Sequence, residues 1–154
     1  MMNIWVDADS CPRSIRTIIQ KAARRVNRTA IFVADRPLQD CMGPLLQMII
    51  VPTGADNADD RIVEGVAVGD LVITRDVILA SRVVESGCVV VDDRGGVYTT
   101  ENVRERLSIR NAMTEFREAG HFCERAKPVG PREIQAFANA LDTHVTKLLQ
   151  RENQ

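Results

Sequence analysis

Carboxylates gather at four places in the 154-residue chain, each at the end of an apolar run. Asp7 and Asp9 follow Ile4-Trp5-Val6. Asp56, Asp59 and Asp60 follow Met48-Ile49-Ile50-Val51 and the breaker Pro52-Thr53-Gly54. Asp76 closes Leu71-Val72-Ile73-Thr74, and Asp92-Asp93 closes Val89-Val90-Val91. Carboxylates crowded within about 4 to 6 Å raise one another's pKa, so such a cluster persists only if some are protonated or a cation neutralises them. An all-oxygen donor set favours Mg²⁺ or Mn²⁺. That combination suits metal-assisted hydrolysis of a phosphodiester, which makes a nucleic acid the expected substrate. Each acid also has a plainer use. Asp9 would cap the first helix, Asp56 or Asn57 the next one, and Asp92-Asp93-Arg94-Gly95 reads as a turn.

Other chemistries have less to stand on. His121 and His144 are the two histidines, both in the last third of the chain, away from the acids. Cys11, Cys41, Cys88 and Cys123 are widely separated, unlike zinc-clamping pairs, and read as reduced thiols. Cys11 follows the acidic pair at a helix N-terminus, where a thiolate is favoured, although packing behind the site is its simpler role. Trp5 is expected in the core.

Parallel strands would bring these acids to one edge. The run at 4–6 is followed by Pro12 and by Ile15, Ile18, Ile19, Ala22, Ala23 and Val26 at helical spacing, which predicts a helix over 12–26. Strands follow at 30–34, 48–51, 71–74 and 89–91, with helices at 58–68 and 78–85 and a loop or one short helix at 35–44. The 48–51 run is apolar throughout, as in a strand covered on both faces. Alternation of this kind predicts a three-layer, Rossmann-like α/β domain with a mostly parallel sheet, in which ligands bind beyond the carboxyl ends of the strands. Helices are expected at 101–119 and 132–149, joined by a connector at 120–131, the whole forming a single domain.

Composition agrees with that architecture. Hydrophobic residues make up 45% of the chain and charged residues 27%, the balance of a folded globular domain. No apolar run approaches the roughly 20 residues a membrane span needs, and the opening Met1-Met2-Asn3-Ile4-Trp5-Val6-Asp7 lacks a signal-peptide pattern, so a cytoplasmic protein is expected. Net charge is -1, which by itself predicts no polyanionic partner. Arginine outnumbers lysine 17 to 3 among the 20 basic residues. Arg13 and Arg16, with Arg75 and Arg94 beside the later acids, are candidates for holding nucleic-acid phosphates; the alternative is a solvated face. No aromatics interleave with them, so base-specific reading is not expected.

The motifs Asp7-Ala8-Asp9-Ser10-Cys11-Pro12, Asp56-x-x-Asp59-x-x-Ile62, Gly69-Asp70-Leu71-Val72-Ile73-Thr74-Arg75-Asp76 and Arg94-Gly95 with Tyr98-Thr99 resemble those of the YaiI/YqxD family of bacterial proteins. That family is similar to PIN-like metal-dependent nucleases. The resemblance implies an acidic Mg²⁺ or Mn²⁺ site in which Asp7, Asp9, Asp59 and Asp76 are the catalytic ligands; Asp56 is expected to assist, and single-stranded RNA is the expected substrate. The chain departs from the family at Asp92-Asp93 and at Val129-Gly130-Pro131, and Asp60 has no counterpart. Two rival readings stay open. One is a haloacid-dehalogenase-type phosphatase, whose Asp-x-Asp pair Asp7 and Asp9 resemble. The other is a non-catalytic module that binds RNA or protein.

Overall fold

The computed structural model describes residues 1–54, 56–120 and 128–154. Six strands, β1 (Ile4–Asp7), β2 (Ala30–Ala34), β3 (Leu46–Ile50), β4 (Leu71–Ile73), β5 (Val89–Val91) and β6 (Val97–Tyr98), form one sheet in the order β3-β2-β1-β4-β5-β6. All neighbours are parallel except β6, which runs antiparallel to β5. The helices are α1 (Arg13–Val26), α2 (Asn57–Gly65), α3 (Val77–Glu85), α4 (Val103–Glu118) and α5 (Pro131–Glu152).

Every residue of β1, β2 and β4 is buried, which explains why these segments read as continuous apolar runs. Successive side chains still alternate between two cores. Ile4, Val6, Phe32 and Ile73 pack with α1 and α5 through Ile15, Ile19, Phe137 and Leu141. Trp5, Val33, Val72 and Val90 pack on the other face with Ile62 of α2, Leu79 and Val83 of α3, and Val103 of α4. The result is the expected three-layer, Rossmann-like α/β fold.

Three elements differ from their sequence-based reading. β3 is an edge strand rather than one covered on both faces, and Ile50 is 55% exposed. β6 is new; at two residues it is too short to show periodicity, and the turn ahead of it hides it. The helix expected to reach residue 68 ends at Gly65, which lies flush against Trp5: a Cβ there would stand 2.2 Å from the indole Cη2. Gly65→Ala is therefore expected to destabilise the fold by about 1–3 kcal/mol. A urea midpoint matching wild type would show that the indole has room to move. Most of the expected 120–131 connector, residues 121–127, lies outside the described residues. No described helix is long and apolar enough to cross a membrane.

Candidate metal centre at the carboxyl edge of the sheet

β1 and β4 are neighbours in the sheet, but the chain leaves them in opposite directions, into α1 on one face and α3 on the other. Such a switch point opens a crevice beyond the strand ends. Asp7 is the last residue of β1, Thr74 directly follows β4, Asp76 caps α3 and Asp59 lies in the first turn of α2.

A hydrogen-bonded chain links them. The Thr74 hydroxyl donates to Asp7 Oδ2 at 3.0 Å and accepts the Asp76 N–H at 3.0 Å. Ser10 donates to the same Asp7 oxygen at 3.3 Å. Asp76 Oδ1 accepts from the N–H groups of Ile78 at 2.9 Å and Leu79 at 3.4 Å, so one of its oxygens is committed to capping α3. Burial pushes the Asp59 carboxyl up to about 7, helped by the charge of Asp76 and by a hydrogen bond shared with it, and further by Asp7 and Asp56. Burial also raises Asp7; the bonds from Thr74 and Ser10 oppose that rise, while Asp76 and Asp9 add to it. Asp7, Asp59 and Asp76 thus meet from three separate parts of the sequence.

The remaining predicted residues are placed differently. Asp9 is exposed and accepts the Asp35 N–H at 3.0 Å, which turns it toward the end of β2. Asp56 is exposed with φ of 66° and makes no capping bond, so it reaches Asp59 only through its charge. Asp60 pairs with Arg82. Asp92 accepts from the N–H groups of Arg94 and Gly96 and so shapes its own turn, while buried Asp93 pairs with Arg75 at 2.5 Å. Arg16 grips Asp40 through two nitrogens and donates to the Cys11 carbonyl, and Arg94 faces Glu133 at 3.8 Å. Arg13 and Arg75 are exposed, and of the four candidate arginines only Arg13 makes no ion pair with a described residue.

Among the described residues, no three His, Cys, Asp or Glu side chains form a ready-made metal cage. Mg²⁺ does not require one. It keeps several waters and is commonly held by one or two carboxylates together with substrate phosphates. Asp59 and Asp76, with Asp7 adjoining, bring hard oxygen donors to one crevice.

Thr74 and Ser10 are positioning residues that sequence reasoning passed over. The Thr-x-Asp spacing at the end of β4 was the available signal for Thr74. Cys11 is a packed thiol: burial pushes it up to about 12. Cys11 is therefore expected to resist iodoacetamide in the native protein at pH 8 and to react fully in denaturant. Native labelling of Cys11, mapped by mass spectrometry, would contradict its assigned role.

The sequence matches the "Uncharacterized BCR, YaiI/YqxD family" model over residues 5–147, a span that contains every acid described above. The chain belongs to the YaiI/YqxD family. It is 43% identical over 148 residues to a UPF0178 protein of Treponema pallidum, covering 96% of this chain and 84% of that protein. A UPF0178 protein of Pseudomonas entomophila is 42% identical over 147 residues, covering 96% and 98% of the two chains. A third, from Geobacter sp. strain M21, is 43% identical over 148 residues and covers 96% of each. No solved structure matches the chain.

Proposed function

We propose that this YaiI/YqxD protein is a PIN-like, Mg²⁺- or Mn²⁺-dependent nuclease that hydrolyses single-stranded RNA in the cytoplasm. The observation that carries this reading is the meeting of Asp7, Asp59 and Asp76 at the switch point of the sheet. These three residues would hold the cation, with Asp9 and Asp56 at the margin able to bind it through water. When bound, a divalent cation lowers the pKa of a coordinated water and offsets charge on the phosphate. The protein's own part is positional. Thr74 fixes Asp7 through its hydroxyl and Asp76 through its backbone N–H, the first turn of α3 orients Asp76, and Ser10 holds Asp7 from the other side. Arg13 is the candidate for guiding the RNA backbone toward the acids, whereas Arg16, Arg75 and Arg94 would first have to leave their carboxylate partners.

The phosphatase reading is less well supported. Its nucleophile would be Asp7, yet Asp7 is 7% exposed and two hydroxyls already occupy one of its oxygens. Its acid/base would be Asp9, which faces the Asp35 N–H.

Incubation of single-stranded RNA with Mn²⁺ tests the proposal. Wild type is expected to cleave, and Asp76→Asn to fall to background while keeping wild-type helical content. RNA left intact by wild type in saturating Mn²⁺ would overturn the nuclease reading in favour of a binding module.

A further inference from the structure

The opposite end of the sheet, where the parallel strands begin, carries a cavity of about 430 Å³. It lies between the second half of α5 and the segment that leaves β6. One wall presents His144, Lys147 and Arg151, and the other presents Thr99, Thr100 and Glu101. Val89 and Leu148 contribute apolar surface between them.

Charge is sorted along α5. Its acids in this half face away from the cavity toward α1 and the following turn: Asp142 pairs with Arg25, and Glu152 with Arg28. Lys147 and Arg151 make no ion pair with a described residue. Like charges four residues apart are disfavoured on an isolated helix. The helix dipole favours a cation in the last turn, where Arg151 sits, but Lys147 and His144 stand further back. Burial, and then the charges of Lys147 and Arg151, hold His144 below the ordinary histidine range, a sign that this wall is electropositive.

The facing wall has the complementary property. It presents the exposed Glu101 carboxyl with the exposed Thr99 and Thr100 beside it. A glutamate carboxylate accepts hydrogen bonds from hydroxyl groups. A ligand that spans the cavity should carry a dianionic group at one end and hydroxyls at the other. The volume is within the usual range for small-molecule sites.

We propose that this cavity binds a sugar phosphate, free or as part of a nucleoside monophosphate, with its phosphate on Lys147 and Arg151 and its sugar hydroxyls on Glu101. The site is separate from the acidic centre, and its occupation requires no divalent cation.

The test is calorimetric titration of the full chain in EDTA with inorganic phosphate, ribose 5-phosphate and adenosine monophosphate. Ribose 5-phosphate is expected to bind more tightly than inorganic phosphate. The double variant Lys147→Ala/Arg151→Ala should bind it about ten- to a hundredfold more weakly. Glu101→Gln should weaken the sugar phosphates and leave inorganic phosphate unaffected. Adenosine monophosphate binding with ribose 5-phosphate silent would identify the nucleotide as the source of the phosphate. Silence from both sugar phosphates at millimolar concentration, binding of inorganic phosphate alone, or full affinity in the double variant would each overturn the proposal. Asp76→Asn should bind all three probes like wild type, so a failure here is distinguishable from a failure of the nuclease reading.

Discussion

Asp70→Ala is expected to lower unfolding stability by about 3–5 kcal/mol, a large loss for a single polar side chain. Asp70 is 2% exposed and lies ahead of β4, at the opposite end of the sheet from the acidic centre. Its carboxylate accepts from the Asn3 N–H at 2.9 Å, the Trp5 indole N–H at 3.1 Å and the Ala67 N–H at 2.9 Å. It thereby ties the start of β1 to the turn that delivers β4 beside it. Alanine would strand three donors where water has poor access, and each stranded buried donor costs about 1–3 kcal/mol. Melting should fall by roughly 6–20 °C in a chain of this size. Urea denaturation gives the free energy directly, and a loss below about 1 kcal/mol would mean that these donors find other partners.

Asp59→Asn has the opposite sign and a strong pH dependence. The folded chain holds the Asp59 proton up to about 7, against 3.8 ordinarily, so it binds that proton more tightly than the unfolded chain does. The stability linked to it is fully present below about pH 4 and is lost as pH rises through about 7. A rise of that size corresponds to at most about 4 kcal/mol, and partial solvent screening makes it a ceiling. Asparagine is nearly isosteric, carries no charge and can donate to Asp76. In EDTA at pH 8 the variant is therefore expected to melt about 4–8 °C above wild type. At pH 4 the two should melt together. A variant less stable than wild type at pH 8 would show that an ionised Asp59 is already well accommodated.

The acids that meet at the switch point were legible because each follows an apolar run, and parallel runs deliver their ends to one edge. Pairing partners were not legible. Arg16 is neutralised by Asp40, Arg75 by Asp93, and Arg94 faces Glu133, pairings that depend on how loops and helices lie across the sheet. The roles of Thr74 and Asp70 were hidden for the same reason: each bonds to residues of the first strand region, more than 60 positions away in sequence. Asp9 looked equivalent to Asp7, but the single 3-10 turn Ala8–Ser10 after β1 sends it toward β2 instead. The apolar content of the 48–51 run suggested a central strand; hydrophobicity there reflects one good face and a place at the edge.

Whether Asp7, Asp59 and Asp76 hold a cation is decided by melting curves recorded during a Mn²⁺ titration at pH 7.5, comparing wild type with Asp7→Asn and Asp76→Asn. A cation held by the folded chain stabilises it by about 2.7 kcal/mol at a hundred times its dissociation constant, a shift of several degrees in wild type. That shift is expected in wild type, with little of it in either variant. A wild-type protein indifferent to Mn²⁺, or variants that respond as wild type does, would contradict a metal centre built on these acids.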